Sequence, residues 1–355
     1  MKTFKLFPIT LGVLLTLACG VDTPPAERPA EVPTIVPEGA KLELLFTRSL
    51  PIQGGLTEGP AAAPDGSIYF SDIPFGADKG KIMRYNPKTG ETTVFAEDSG
   101  KSNGLFFDAD GHLVAAEGAG GGGRQISRWN VETGEKATLA DRFDGKRFNS
   151  TNDLTLDTEG RVYFSDPRYV GDEERELENM AVYRLDTDGT VVELTHEVEK
   201  PNGVALSPDG RTLYVADNNN GSDAITDPEA APAVPGAMKI YAFPLGDDGL
   251  INGPRRTLVD FGEEAGTDGM TVDEAGNIYL ASRSLKRPGV MIIDPEGQEI
   301  GFIPTGPENQ TDPATAQGLP SNVEFGRGDE AHILYVTVDV SLYRIPLGME
   351  RYRPF

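Results

Sequence analysis

Residues 202–217 read NGVALSPDGRTLYVAD, and this stretch contains the pattern that decides the fold. A polar residue, Asn202, precedes a short apolar segment, a turn at Asp209-Gly210 and a second apolar segment. Two such segments on either side of a glycine turn predict a β-hairpin. The same pattern recurs along the chain at intervals of roughly 45–65 residues, which indicates a repeat architecture.

The pattern occurs six times, and each copy opens with a polar residue. In five copies that residue lies eight positions before the turn glycine, and in the last copy it lies eight before Asp329. Because the turn sets the register of a hairpin, equal offsets place these residues at equivalent structural positions. We call them the ring residues: Glu58, Asn103, Asn152, Asn202, Asp268 and Ser321.

Further strand signals follow each hairpin, as in KIMRYNPKTGETTVFA at 81–96. Four strands in each of six repeats predict an all-β fold, a six-bladed β-propeller with four-stranded blades. The last repeat ends before its fourth strand, so we expect the N-terminal strand at 41–46 (KLELLF) to close the last blade. A β-sandwich would not explain six repeats, and 42 Gly and 27 Pro exclude a helical fold.

The first 20 residues, MKTFKLFPITLGVLLTLACG, have the order of a secretory signal. Lysines precede a short apolar run, and the cysteine after Ala18 resembles a bacterial lipobox. We predict a lipoprotein-type signal peptide over 1–18, lipidation of Cys19, a Pro/Ala/Glu-rich tether over 19–40 and a propeller over 41–355. This predicts a lipid-anchored protein of the bacterial cell envelope, on the periplasmic or outer-membrane face; plain secretion is the alternative.

Charge and motif content exclude several function classes. The formal net charge is −24 and no basic run is present, which excludes nucleic acid as a partner. We expect a monomer that contacts the membrane only through its lipid. The three histidines, His112, His196 and His332, lie outside the ring, and no G-x-S-x-G motif is present, which disfavours a histidine triad or a serine nucleophile.

The ring residues have the chemistry of a cation site. In a propeller the innermost strands line the central channel, so we expect all six side chains to face one mouth of it. Two carboxylates, three amides and a hydroxyl offer only oxygen, which hard cations prefer. We therefore predict one divalent metal, with Ca²⁺ favoured and Zn²⁺, Mn²⁺ or Mg²⁺ as alternatives. Taken singly, each Asn or Asp could instead serve its local turn.

Several segments together resemble the gluconolactonase / senescence marker protein-30 / luciferin-regenerating family. They are Glu58-Gly59-Pro60, SNGL at 102–105, TNDL at 151–154, SDP at 165–167, PNGVALSPDG at 201–210 and TDGM at 267–270. The resemblance covers roughly residues 45–345 and implies a six-bladed propeller with one catalytic metal in its channel. It implies metal ligation by Glu58, Asn202 and Asp268. Asn152 matches a residue that is a ligand in some members and a substrate contact in others.

The predicted function is a metal-dependent hydrolase that opens a sugar-type lactone, with Asp268 as the base that takes a proton from water. Asn103 and Asn152 are predicted to orient the small-molecule lactone. Residues after the second strands of three blades are further candidates for substrate contact: Glu117, Arg124, Asp166, Arg168, Tyr169 and Asp217. Residues 219–236 are a candidate lid. Two alternatives stay open: hydrolysis of other esters or phosphotriesters at the same metal, and a surface-tethered propeller that only binds a partner.

Overall fold

The structure is a computed structural model that describes residues 1, 34–48, 55–74, 76, 78–222, 234–311, 317–350 and 354. The predicted signal peptide (apart from Met1), Cys19, the tether up to residue 33 and the centre of the candidate lid lie outside these residues. No helix among the described residues is long and apolar enough to cross a membrane.

Six four-stranded antiparallel sheets form the blades of a β-propeller, which confirms the predicted fold. The first strand along the chain, β1 (Glu43–Thr47), belongs to the last blade. The strands of blades one and two are β2 (Leu56–Ala62), β3 (Ile68–Ile73), β4 (Lys81–Asn86), β5 (Glu91–Ala96), β6 (Ser102–Phe107), β7 (Leu113–Glu117), β8 (Gln125–Trp129) and β9 (Lys136–Ala140). A small hairpin follows, made of β10 (Arg142–Phe143) and β11 (Lys146–Arg147).

The remaining blades repeat the same plan. The strands of blades three and four are β12 (Leu154–Leu156), β13 (Val162–Asp166), β14 (Ala181–Leu185), β15 (Val191–Thr195), β16 (Pro201–Leu206), β17 (Thr212–Asn218), β18 (Met238–Pro244) and β19 (Arg256–Asp260). Those of blades five and six are β20 (Thr267–Val272), β21 (Ile278–Ser282), β22 (Gly289–Ile293), β23 (Glu299–Pro304), β24 (Pro320–Phe325), β25 (Ile333–Val338) and β26 (Ser341–Pro346). Short 3₁₀ turns lie at Pro307–Asn309 and Gly328–Glu330.

The sixth blade is completed by β1, as the sequence predicted. Its order is β1-β26-β25-β24, and Glu43 pairs with Arg344 both in register and by an ion pair of 2.8 Å. The two ends of the described chain therefore meet in one sheet, and this sheet leaves β1 as its only outer edge.

The core consists of apolar clusters that lie between neighbouring blades. Tyr69 of blade one packs with Phe107 of blade two, and Phe70 of blade one packs with Leu342 of blade six. Since each sheet packs on both neighbours, second strands such as β7 and β13 are buried at every position. This explains why these strands read as continuous apolar runs rather than as alternating ones.

The folded unit begins at Thr34. Residues 34–40, which the sequence analysis placed in the tether, lie against the last blade. Ile35 and Val36 pack on its apolar cluster, and the Ile35 carbonyl accepts a hydrogen bond of 2.9 Å from the Gly348 amide. The apolar side chains in this proline-rich segment find a surface to pack on, so contacts with the last blade begin before the predicted start of the propeller at residue 41.

Candidate active site in the central channel

The ring residues stand at the start of the inner strands, at one mouth of the channel. In five of the six blades, the pairing of the inner strand with its neighbour shifts register at this point. Such a bulge bends the strand and redirects its side chains, and bulges of this kind are frequent beside active sites. The equal offsets in the sequence thus correspond to a repeated local distortion.

The inner strands converge closely beyond the ring. A Cβ on Gly203 would lie 2.4 Å from the carbonyl oxygen of Asp268, and one on Gly59 would lie 2.2 Å from that of Asn103. Glycine follows the ring residue in four blades because the backbone or a side chain of the neighbouring inner strand occupies that space. In the other two blades Asp153 and Asn322 occupy this position, and the side chain of each lies against the glycine of a neighbouring blade.

Three buried carboxyl groups share the channel. Glu58 is only 1% exposed, and its pKa is raised well above the ordinary value by burial and by the nearby charges of Asp268 and Asp153. Burial also raises the pKa of Asp153, to about 7, and that of Asp268. Such a group of acids is stabilised by a cation placed among them.

The amides around these acids complete a set of oxygen donors. Asn202 uses its Nδ2 as a donor to the Tyr169 hydroxyl, 3.2 Å away, which leaves its carbonyl oxygen for a ligand. The Oδ1 of Asn103 is buried and has no hydrogen-bond partner among the described residues. An orphaned oxygen beside clustered carboxylates fits a hard divalent cation. Glu58, Asn152, Asn202 and Asp268 are the residues that could hold it.

Arg283 is a member of the site that the repeat pattern did not reveal. Its guanidinium lies 3.3 Å from Asp268 and lowers the pKa of Asp268 and of Glu58. Asp153 was also missed, since it follows the predicted Asn152. A polar residue replacing glycine after a ring residue was the available signal for Asp153, whereas Arg283 carries no signal in the hairpin pattern.

Among the residues predicted to contact substrate, Tyr169 is one that the structure places against a ring residue. Its hydroxyl accepts from Asn202 and donates to the carbonyl of Asn218 at 3.0 Å. The ring of Tyr169 also lies under the ammonium group of Lys200, 4.9 Å from its centroid. Tyr169 therefore fixes the orientation of one predicted metal ligand.

The other candidates for substrate contact serve the scaffold. Asp166 accepts bonds of 2.7 Å from the backbone amides of Asn149 and Ser150, which lead into the ring strand of blade three. Asp217 holds the equivalent amides of blade four in the same way. Both carboxylates are buried and bonded to backbone amides, so their contact with substrate stays a prediction beside this structural role.

Glu117, Arg124 and Arg168 are likewise engaged away from the ring. Glu117 is fully buried and bonds Lys136 at 3.1 Å, on the outermost strand of its blade. Arg124 donates to the Phe148 carbonyl at 2.7 Å, and Arg168 pairs with the side chain of Glu173 at 3.0 Å. In the structure these three residues bond neighbouring strands and loops, and their contact with substrate stays a prediction.

Ser321 joins the last blade to the first. Its hydroxyl donates to the carbonyl of Thr57 at 2.6 Å and lies 2.8 Å from the Thr337 hydroxyl. Because Thr57 precedes Glu58, this contact fixes the strand that presents a predicted metal ligand. The role that the sequence left open is thus a structural one.

The channel narrows beyond the ring. The space there amounts to about 40 Å³, and its lining combines apolar residues such as Leu156 and Val272 with the acids Asp153 and Glu324. This volume suffices for a few water molecules and not for a sugar lactone. A substrate that reaches the ring must therefore come from the mouth at which the ring residues stand.

A second group of ligand-type side chains lies at the far end of blade two. Asp108, Asp110 and His112 are close enough to share an ion, but Arg128 already pairs with both carboxylates, at 2.6 and 2.8 Å. The arginine supplies the positive charge that a metal would otherwise bring. This cluster is therefore distinct from the predicted metal site.

Comparisons with known proteins identify the family of the chain. The chain is similar to a gluconolactonase of Zymomonas mobilis, with 28% identity over 81% of this chain and 78% of that protein. It is similar to a pentonolactonase of Haloferax volcanii, with 28% identity over 81% of this chain and 90% of the relative. A solved gluconolactonase of Xanthomonas campestris superposes with a TM-score of 0.68 at 27% identity, covering 89% of this chain and 95% of that one. Residues 56–339 match the family model described as the SMP-30/Gluconolactonase/LRE-like region, and the chain belongs to this family.

Proposed function

We propose that this protein is a lactonase that hydrolyses sugar-type lactones at a divalent metal in the channel mouth. The observation that carries the proposal is the buried Glu58–Asp268 pair with the amides of Asn152 and Asn202 around it. The names of the relatives, a gluconolactonase and a pentonolactonase, support the substrate class.

The metal would be held by Glu58, Asn152, Asn202 and Asp268, and the all-oxygen donor set favours Ca²⁺. When bound, a divalent cation polarises the lactone carbonyl and stabilises the negative charge that develops on it. Glu58 and Asp268 together balance its two charges. Tyr169 fixes the Asn202 amide by the 3.2 Å hydrogen bond, so this ligand is oriented before substrate arrives.

Asp268 is the residue best placed to act as the base. Arg283 at 3.3 Å and a hydrogen bond from Asn202 oppose the effect of burial on its pKa and favour its ionised form. Ionised Asp268 takes a proton from water as the water oxygen bonds to the carbonyl carbon. The ring C–O bond then breaks, and the proton passes to the departing alkoxide, which leaves a hydroxy acid. Asn103 and Asn152 hydrogen-bond the substrate hydroxyls during this step.

The decisive experiment compares Asp268→Ala with Asp260→Ala. Asp260 lies on the outer strand of the neighbouring blade, where it pairs with Lys239, so it is a matched control. Loss of a general base lowers kcat by about 10²–10⁴-fold. We expect that loss on gluconolactone for Asp268→Ala, together with reduced metal content, and wild-type values for Asp260→Ala. Full hydrolysis by Asp268→Ala would overturn the assignment.

A substrate panel separates this function from the two alternatives. Lactones, aryl esters and phosphotriesters, each assayed with and without chelator, distinguish a lactonase from another ester hydrolase on the same site. A propeller that only binds a partner would hydrolyse none of them, and chelation would leave its thermal stability unchanged.

The proposal includes a location in the bacterial cell envelope through a lipid on Cys19. The motif that supports it is the charged, apolar and small-residue order of residues 1–19. Labelled palmitate should enter the wild-type protein and not Cys19→Ser; equal labelling of both would remove the anchor from the proposal.

A further inference from the structure

Arg283 stands where the repeat departs from its own pattern. In blades one to four, a buried acid lies on the second strand opposite the start of the third: Asp72, Glu117, Asp166 and Asp217. In blade five, Ser282 occupies this place, opposite Gly289, and Arg283 follows it. The scaffold function of the four acids therefore does not account for the arginine.

The guanidinium of Arg283 contacts two blades at the mouth and has further N–H donors that bind neither blade. Its Nη1 donates to the Pro320 carbonyl of blade six at 3.1 Å and lies 3.3 Å from Asp268 of blade five. The described part of the chain offers its Nε and Nη2 no partner, and the side chain is 27% exposed. A guanidinium has five N–H donors, so the Nε–Nη2 edge of this partly exposed side chain is left capable of bidentate binding.

The free Nε–Nη2 edge of Arg283 has no anionic partner among the described residues. The ion pair of Arg283 is made by its Nη1, which lies 3.3 Å from Asp268. An anion that binds the other edge would therefore come from the substrate. Lys200, the cation beside Tyr169, differs because its ammonium is already bonded to Asn220 at 2.9 Å.

We propose that Arg283 binds a carboxylate carried by the substrate, so that the preferred lactones are those with a free acid group, the aldarolactones. This inference rests on the proposed lactonase function and names its substrate class. A carboxylate accepts two parallel N–H bonds from a guanidinium, a geometry that a hydroxyl of a neutral sugar cannot reproduce. The hydrolysis product of such a lactone is a dicarboxylate, and Arg283 meets the carboxylate that was present before the ring opened.

The test is the ratio of two specificity constants. We would measure kcat/KM for glucarolactone, which has a free carboxylate, and for gluconolactone, which is neutral, with the metal content of every variant verified. Arg283→Gln should lower the acidic-to-neutral ratio by about 10- to 100-fold, the range expected for a lost charge-assisted hydrogen bond. Arg283→Lys keeps the positive charge but loses the two parallel N–H donors of the guanidinium. It should retain part of the preference for the acidic lactone.

Arg287→Gln is the matched control. Arg287 lies in the same loop and pairs with Glu299 of the outer strand at 2.6 and 2.9 Å, so its loss should leave the ratio unchanged. A ratio that stays within threefold of wild type in Arg283→Gln would overturn the proposal and leave Arg283 as a support for Asp268.

A binding measurement keeps this proposal separable from the proposed hydrolysis. Calorimetric titration of the calcium-loaded protein with glucarate and with gluconate requires no turnover. Tighter binding of glucarate that is lost in Arg283→Gln supports the carboxylate site even if no lactone is opened. Equal affinity of wild type for the two acids contradicts it even if gluconolactone is hydrolysed.

Discussion

Asp166 shows what a buried carboxyl does for the scaffold of this fold. Burial raises its pKa to about 7, although the amides of Asn149 and Ser150 bond it at 2.7 Å and act in the opposite direction. Its counterpart in blade four, Asp217, also has a raised pKa because of burial. Each acid ties a loop to the ring strand that the loop enters.

The raised pKa of Asp166 predicts a stability that falls with pH. A carboxyl of ordinary pKa near 3.9 binds its proton more tightly in the folded protein when the folded value is about 7. The stabilisation is therefore complete below about pH 4 and is lost as pH rises through 7, a change of about 4 kcal/mol. In saturating Ca²⁺, the free energy of unfolding of Asp166→Asn should depend less on pH between 4 and 8 than that of wild type.

The exposed Asp188 of the same blade provides the control for that experiment. Asp188→Asn should follow the wild-type pH profile in urea titrations at each pH. Parallel profiles for wild type and Asp166→Asn would show that Asp166 does not change protonation on unfolding.

The sequence carried a local signal for the ring residues and none for several residues around them. Glu58 and Asp268 were predicted because the distance from ring to turn is a property of one hairpin, and such distances are encoded locally. Arg283 contacts Asp268 and Pro320 only through tertiary structure, so no residue spacing in the repeat indicates its position. The sequence did not indicate the bonds of Asp166 to the loop, because a polar residue at the end of a strand has the same appearance whether it faces a channel or a loop.

At the scale of the strand, the site is shaped by the bulge at the start of the inner strand, which is present in five of the six blades. The bulge directs Glu58 and Asp268 into the channel, and the small residue after each of them lets the neighbouring strand come close. The sequence showed the Asn-Gly and Asp-Gly pairs without showing why glycine follows. The reason is the contact with the next blade.

Gly203→Ala should therefore damage the site through the neighbouring strand. The Cβ of the new alanine would lie 2.4 Å from the carbonyl oxygen of Asp268. Because relieving this overlap requires a shift of the backbone, we expect a loss of stability of about 1–3 kcal/mol. The displaced Asp268 should also weaken Ca²⁺ binding by about tenfold or more, measured by calorimetry.

A turn glycine separates these two effects. Gly134 has a positive φ of 76° and no heavy atom near its missing Cβ, so Gly134→Ala introduces backbone strain alone. It should lower stability by about 1–2 kcal/mol and leave calcium affinity at the wild-type value. Unchanged calcium affinity in Gly203→Ala would contradict the role given to the strand contact.

At the scale of the molecule, closure of the propeller depends on contacts between distant parts of the chain. The apolar cluster between blades one and six contains Phe70 and Tyr335, and Phe46 of β1 packs on Phe70 with ring centroids 5.3 Å apart. The sequence predicted the closing strand because one repeat lacked its fourth strand. It did not predict that residues 34–40 also pack on this blade, because that contact leaves no periodic signal.

Removal of residues 1–47 should open the propeller at its closing blade, whereas removal of residues 1–33 should not. The longer deletion takes away β1 and with it the half-buried Leu44 and Phe46, the ion pair of Glu43 with Arg344 and the cover of the β26 edge. Burial of apolar side chains is worth about 1.5–3 kcal/mol each, so the melting temperature should fall by at least about 5 °C. An uncovered strand edge also promotes association, which light scattering would detect as a concentration-dependent increase in mass. The shorter deletion retains every described contact of the propeller from Thr34 onward and serves as the reference. If the two truncated proteins had the same melting temperature and stayed monomeric, closure of the propeller would have to rest on Ser321 and the contacts between blades one and six alone.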